Sequence, residues 1–280
     1  MHITDFDIYK DLLKQKSGLI LTQDKSYLLD SRLNPVAKKW GYENIEAMTH
    51  VLRGVPPSDL VTDIIEAMTT NETSFFRDTK PFDMFKDTVL KYYKETPKPN
   101  KKLKIWCAAS SSGQEPYSLA MILKEKSADM PGWSFDITAT DISHEILDQA
   151  RTAQYSQFEV QRGLPITYLM NYFTQGENKK WQLNDDIRNM VKFDYFNLLE
   201  PMSKLGQFDL IFCRNVLIYF DNETKSEILG NMSKQMADDG FLFLGGAETV
   251  IGITDDFVPV PDKRGLYAPQ GSKHLSSEAA

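Results

Sequence analysis

Apolar residues in the first 68 positions recur at helical spacing, with no strand-like alternation. Phe6, Tyr9 and Leu13 share one face of a helix that Thr4 can cap. Leu29, Leu33, Val36 and Trp40 form a second stripe, which Pro35 should kink or interrupt. Asn44 caps a third helix from Ile45 to Leu52, stopped by Gly54 and Pro56-Pro57. Ser58 caps a fourth carrying Leu60, Ile64, Ile65 and Met68. The pattern predicts a small helical domain over residues 1–78.

The next stretch, Thr69 to Asp78, is dense in turn-forming residues yet holds Phe75-Phe76, so it should pack against something. Asp78 or Thr79 can cap a helix through Phe82, Phe85 and Val89, and Pro97 and Pro99 mark a linker; residues 79–103 read as linker helix and loop.

From Lys104 strands and helices alternate. An apolar strand runs into a Ser/Gly turn, and a helix starts near Pro116 with Leu119, Met121, Ile122 and Leu123 apolar. A strand over Phe135 to Thr140 ends at Asp141, and Ser143 caps a helix with Ile146, Leu147 and Ala150. Phe208 to Cys213 is a continuous apolar strand of the buried parallel type, and Val216 to Phe220 continues apolar. Asp221 or Asn222 starts a helix with Ile228, Met232 and Met236 inward; Phe241 to Leu244 and Gly265 to Tyr267 are further strands. Tyr172-Phe173, Trp181 to Leu183 and Met190 to Phe193 are short pieces separated by Gly176-Glu-Asn and Asn184-Asp-Asp. They predict an antiparallel β-subdomain over about 160–193. The fold class is α/β: a doubly wound, Rossmann-like sheet with a helical N-terminal domain and this small β-subdomain. Residues 269–280 read as a disordered tail.

Composition narrows the picture little. Of 280 residues 41% are hydrophobic and 25% charged, ordinary for a soluble globular protein, and the net charge of −7 argues against a general nucleic-acid binder. Cys107 and Cys213 lie in apolar runs, reading as buried thiols in a reducing compartment. No metal-ligand spacing occurs among the two cysteines and four histidines. The first residues lack a signal-peptide pattern and no apolar stretch reaches membrane-spanning length, so the expectation is a cytoplasmic protein.

The turn after the first strand, Ala109-Ser-Ser-Ser-Gly-Gln-Glu115, carries the first chemistry. A pyrophosphate cofactor wants several glycines so that bare N–H groups can approach it, and here Gly113 stands alone beside Glu115. A carboxylate there repels phosphates and attracts an ammonium or sulfonium. S-adenosylmethionine carries both, and has a ribose for Asp141 at the next strand end. An ordinary strand–turn–helix with a solvated Glu is the alternative. A basic stripe, Lys25, Arg32 and Lys39 with Lys38 beside them, could steer an acidic partner; the bland alternative is a solvated face paired with Asp24 and Asp30.

Four stretches carry a resemblance: Thr70 to Arg77, Ile105 to Ser118, Ala139 to Ile142 and Phe208 to Phe220. In this order they resemble the chemotaxis receptor methyltransferases of the CheR family, over nearly the whole chain before the tail. The resemblance implies an S-adenosylmethionine-dependent protein-glutamate O-methyltransferase acting on chemoreceptor cytoplasmic helices, with a helical domain, a methyltransferase domain (104–268) and a β-subdomain. Net charge and hydropathy lead to the expectation of no nucleic-acid or membrane-inserted partner, and a monomer is the default. In some members the β-subdomain binds a peptide at the receptor C-terminus. Two departures occur: Gln114 stands for the first of two acids, and Gly245-Gly-Ala-Glu248 stands for a Gly-His-Ser-Glu motif, so no role is assigned to that turn.

A carboxylate nucleophile is ionised at neutral pH and needs no base, only alignment. Arg77 and Tyr219 are the candidates to orient it, at positions the resemblance also indicates. The expected cofactor site is Asn71, Thr73, Arg77, Glu115, Asp141, Asn197, Leu198, Arg214 and Asn215, with Asp141 on the ribose, Glu115 by the methionine ammonium, and Asn197-Leu198 near adenine. Lys25, Arg32, Lys38 and Lys39 are the expected substrate-docking residues. A non-catalytic S-adenosylmethionine sensor or array scaffold is the alternative function.

Overall fold

A computed structural model describes residues 3–176 and 179–272 of the chain. Four helices come first: α1 (Ile3–Ser17), α2 (Tyr27–Lys39), α3 (Ile45–Leu52) and α4 (Ser58–Met68). Phe6, Tyr9, Leu13, Leu29, Leu33, Ile45, Leu60 and Ile64 are buried together as their common core. Asn44 caps α3 by accepting from the Ala47 N–H at 2.8 Å. Two expectations are corrected. Helix α2 passes through Pro35 without a break, and the Asn34 side-chain amide donates to the Asp30 carbonyl. Ser58 does not cap α4: Pro57 holds the cap position and the Ser58 hydroxyl turns to Asp59. The Thr4 side chain lies outside the described residues.

After a segment over 69–79, α5 (Lys80–Met84), a π-helical turn (Phe85–Val89) and α6 (Leu90–Glu95) run on as one helix. Neither expected cap forms, since the Thr79 side chain makes no cap bond and the Asp78 carboxylate goes to Arg214. The α/β part follows: β1 (Lys102–Ala108), α7 (Gln114–Lys126), β2 (Ser134–Asp141) and α8 (His144–Thr152). Next come β3 (Gln154–Tyr155), α9 (Gln157–Gln161), α10 (Ile166–Tyr172), β4 (Phe173–Gln175), β5 (Trp181–Leu183) and α11 (Asp185–Arg188). The chain ends with β6 (Val191–Tyr195), β7 (Phe208–Cys213), α12 (Asn222–Lys234), β8 (Met236–Leu244), β9 (Phe257–Pro259) and β10 (Leu266–Pro269).

Seven strands form the main sheet in the order β6-β2-β1-β7-β8-β10-β9, and β3-β5-β4 form a small antiparallel sheet. Strands β6, β2, β1, β7 and β8 are parallel, with β10 antiparallel to β8. Alternate residues serve opposite faces: Ile105, Cys107, Leu210, Phe212, Phe241 and Phe243 join one core, while Trp106, Ala108, Ile211, Cys213, Leu242 and Leu244 join the other. A sheet covered on both sides explains the unbroken apolar runs. Each large apolar side chain so buried contributes about 1.5–3 kcal/mol.

Three boundaries differ from expectation. Helix α7 begins at Gln114, with Gly113 at φ 91 before it. Met236 opens β8 instead of closing α12. Val191–Tyr195 pairs parallel with β2 in the main sheet, not with the antiparallel excursion. The Glu177-Asn178 turn lies outside the described residues, as does the tail past Ser272. Up to that point the chain stays on the sheet: Pro269 closes β10 and the Ser272 hydroxyl donates to the Asp238 carbonyl.

Candidate active site

Strand order reverses at β1: α7 carries the chain to β2 on one side, and β7 lies parallel on the other. Ligands bind outside the carboxyl ends of the strands at such a point. There the structure has a cleft of about 930 Å³, its open mouth included, roofed by the helical domain through Ser17 and Leu19. Its walls are the ends of β1 (Ala109, Ser110, Ser111), β2 (Asp141, Ile142), β6 (Phe196, Asn197, Leu198) and β7 (Arg214, Asn215, Val216), with Glu115, residues 69–73, Arg77, Tyr219 and Phe220. Every expected cofactor and orienting residue, Asn71, Thr73, Arg77, Glu115, Asp141, Asn197, Leu198, Arg214, Asn215 and Tyr219, therefore lies on one wall or another.

Asp141 is 6% exposed, and its two oxygens accept from the Ser111 N–H (2.8 Å) and the Ser143 N–H (3.1 Å). Burial pushes its carboxyl above its ordinary range, and the N–H groups of Ser111, Ser143 and Ile142 oppose that. A carboxylate has about four acceptor directions, so a hydroxyl donor can still be accepted. The β1 turn that supplies Ser111 is tight, with Ala109 and Ser111 at φ 58 and 49. Strain of this kind gathers at functional sites.

Glu115 does not face the cleft as a lone acid. Arg214, 1% exposed at its side chain, donates to Glu115 Oε2 (2.6 Å), to Asp78 Oδ2 (2.8 Å) and to the Arg77 carbonyl (2.9 Å). Burial pushes the Glu115 carboxyl up, with the Arg214 charge opposing. Arg214 serves both carboxylates, and the Arg77 charge also bears on Glu115, so what this corner offers a cationic ligand group is the Glu115 acceptor directions that Arg214 leaves open. Arg214 is thus more than a wall: it ties β7, α7 and the 77–78 backbone together.

The 69–79 segment is pinned from three directions. Arg32 donates to the carbonyls of Met68 (2.9 Å) and Thr69 (2.8 Å), and the Ser111 hydroxyl donates to the Asn71 carbonyl (2.7 Å). Phe75 packs edge-on against Tyr155 and Phe173 of the β-subdomain, and Phe76 against Phe82 and Tyr168. The Glu72 carboxylate pairs with Arg162 and Asp78 with Arg214, so the acids beside Arg77 are engaged elsewhere; the Arg77 guanidinium donates to the Glu72 carbonyl at 3.0 Å. The expected basic stripe is corrected here. Arg32 is turned onto the loop and Lys39 pairs with Asp63, while Lys25 and Lys38 are exposed.

On the opposite wall, Tyr219 ends a 3-10 turn over Leu217–Tyr219, and its carbonyl accepts from the Ile20 N–H (2.9 Å). Asn197 donates to the Lys16 carbonyl (2.7 Å) and accepts from the Leu199 N–H (3.1 Å). Its side chain thus fastens the helical domain to the sheet as well as lining the cleft. This fastening was not foreseen from sequence, because Lys16 and Asn197 lie 181 positions apart, and it brings Ser17 and Leu19 to the cleft. Glu248 was also missed: its carboxylate accepts from four backbone N–H groups, among them those of Asn215 and Val216.

The cleft fits a ligand with hydroxyls and a cationic end. Asp141 and the Glu115 corner supply acceptors, and the buried Ser110 hydroxyl, on the wall between them, has no hydrogen-bond partner among the described residues. Among the described residues no three potential ligands gather to hold a metal ion, and no helix is long and apolar enough to cross a membrane.

Comparison with known proteins agrees with this geometry. Residues 4–69 match the CheR methyltransferase all-alpha domain, and residues 71–266 match the CheR methyltransferase SAM binding domain. The chain is 36% identical over 265 residues to "Chemotaxis protein methyltransferase Cher2" of Pseudomonas putida, covering 94% of this chain and 96% of that one. It is 39% identical over 266 residues to "Chemotaxis protein methyltransferase 1" of Vibrio cholerae, covering 92% and 94%. A relative of the same name from Pseudomonas aeruginosa is 37% identical over 267 residues, covering 94% and 96%. With both family domains matched in order and relatives aligned over more than nine-tenths of each chain, the chain belongs to the CheR family of S-adenosylmethionine-binding methyltransferases.

Proposed function

We propose that the protein methylates glutamate side chains on the cytoplasmic helices of chemotaxis receptors, and so tunes sensory adaptation. The carrying observation is that Arg77 and Tyr219, 142 positions apart, line the same cleft as the acids Glu115 and Asp141. When bound, S-adenosylmethionine supplies a sulfonium-held methyl whose C–S bond breaks as a carboxylate oxygen bonds the carbon.

Asp141 accepts ribose hydroxyls with its remaining lone pairs, and the Glu115 corner accepts the ammonium. Arg77 and the Tyr219 hydroxyl hold an incoming carboxylate, Arg77 without removing its nucleophilic lone pair. A glutamate with an unperturbed pKa of about 4.3 is already ionised, so no group must take a proton. Alignment alone is worth about 7 kcal/mol or more, and the roof of Ser17 and Leu19 keeps water from the reacting centre. Lys25 and Lys38, exposed on or beside α2, steer the acidic receptor surface, and Lys39 adds to them from its pair with Asp63. We read the enzyme as a cytoplasmic monomer with no nucleic-acid partner. The names of its relatives support the receptor as substrate.

The test is incubation of the purified chain with methyl-labelled S-adenosylmethionine and receptor-bearing membranes. Label should enter the receptor as a base-labile ester, located on glutamates by mass spectrometry. Label bound to the protein but never transferred would leave only a sensor or scaffold.

A further inference from the structure

Glu248 sits at 9% exposure outside the cleft and no step above uses it. Its Oε2 accepts from the N–H groups of Gly245 (2.6 Å) and Asn215 (2.8 Å). Its Oε1 accepts from those of Val216 (2.9 Å) and Ile218 (3.3 Å). A carboxylate has about four acceptor directions, and here four backbone donors use them. Three of those donors belong to the loop after β7 that presents Asn215 and Tyr219 to the cleft. That loop is irregular, and Asn215 holds φ 60, a left-handed value disfavoured for a residue with a side chain. Buried backbone N–H groups without a strand or helix partner need some other acceptor, and Glu248 is it.

Gly245 belongs to the same device. A Cβ there would lie 2.7 Å from Glu248 Oε2 and 2.9 Å from the Asn215 nitrogen. Only a residue without a side chain lets the carboxylate reach the loop.

We infer that Glu248, with Gly245, is a positioning residue: its carboxylate sets the backbone of Asn215 to Tyr219 and thereby the reach of the Tyr219 hydroxyl during methyl transfer. This rests on the reading of Tyr219 given above. Glutamine is not an adequate replacement, since its amide nitrogen would point hydrogens at two N–H donors.

The test is a double-mutant cycle on the full chain, with Glu248→Gln and Gly245→Ala each made alone and with Tyr219→Phe. Receptor methylation and adenosylhomocysteine affinity are measured at a temperature where circular dichroism shows every variant folded. Glu248→Gln should lower kcat about 10- to 100-fold, the cost of a small misplacement, with receptor KM little changed. In the Tyr219→Phe background the same change should cost less than about threefold, because residues acting as a unit are not additive. General weakening of the fold would give additive losses, which would overturn the inference, as would wild-type kcat in both variants. If Glu248→Gln fails to fold, Gly245→Ala carries the test; if neither folds, the turn is a fold determinant and the inference fails. Should the wild-type chain methylate no receptor, the functional reading falls by itself. Glu248 is then judged on amide hydrogen exchange at Asn215, Val216 and Ile218, where about tenfold faster exchange in Glu248→Gln supports it and no change refutes it.

Discussion

The Arg214 guanidinium donates to the Glu115 carboxylate at 2.6 Å, in the wall of the cleft and almost sealed from solvent. A charge so buried holds its place because it is paired, and removing one partner strands the other. Arg214→Ala should therefore lower the unfolding free energy by about 3–5 kcal/mol in a denaturant titration. It should also weaken adenosylhomocysteine binding, because Glu115 and the 77–78 backbone lose their anchor. A stability change under about 1 kcal/mol would show the pair to be worth no more than a surface one.

Two aspartates should give stability profiles of opposite sign. Burial raises Asp141 above its ordinary 3.8, so between that value and its folded pKa the native state binds more protons than the unfolded one. Its contribution to stability falls as pH rises through that window, and Asp141→Asn should remove the fall. Cofactor affinity runs the other way, lost as acid protonates the carboxylate. At Asp221 the hydrogen bonds from Lys14 and from Thr224 hold the carboxyl well below the usual range. Its contribution is present above about 3.8 and lost as pH falls below it. Denaturation of wild type and both Asn variants across pH 3–6 checks the two signs.

Gly163 touches the Arg77 segment from the β-subdomain. Its φ is 89, and a Cβ would fall 2.1 Å from the Phe75 carbonyl oxygen. Gly163→Ala should cost more than about 1 kcal/mol of stability and displace the segment carrying Arg77. Turnover should fall further than cofactor affinity. Equal losses of both would show that the contact supports the fold at large.

The residues of the basic stripe should separate in their effects. Arg32→Ala removes two hydrogen bonds to the carbonyls before the Asn71 loop, costing about 1.5–3 kcal/mol for each charged donor bond at most, and should weaken cofactor binding. Lys25→Glu with Lys38→Glu should raise the receptor KM and leave cofactor affinity alone. Unchanged receptor kinetics in the lysine pair would remove α2 from the docking surface.

Much of this was readable from the chain because the informative features are local. The apolar run Phe208 to Cys213 reads as a buried strand, Asn44 and Ser143 cap the helices expected of them, and the motif residues Arg77, Glu115, Asp141 and Tyr219 meet in one cleft. What was hidden depends on distant partners. Val191–Tyr195 looks like any short strand until β2 appears beside it. Helices α9 and α10, five and seven residues long, are too short for a periodic signature. Arg32 looked like a surface cation because nothing nearby in sequence shows that carbonyls 36 and 37 positions on await it. Glu248 keeps the acid of the Gly245–Glu248 turn, but its partners are backbone N–H groups, which no side chain in the sequence announces.

The central claim is that the cleft seats the cofactor through its acids and orients the acceptor through Arg77. Turnover and adenosylhomocysteine affinity of Arg77→Ala, measured on one preparation, test it most directly. Methylation should collapse by about 100-fold or more while affinity stays within a few-fold of wild type. Affinity lost in step with activity would contradict it and place Arg77 on the cofactor.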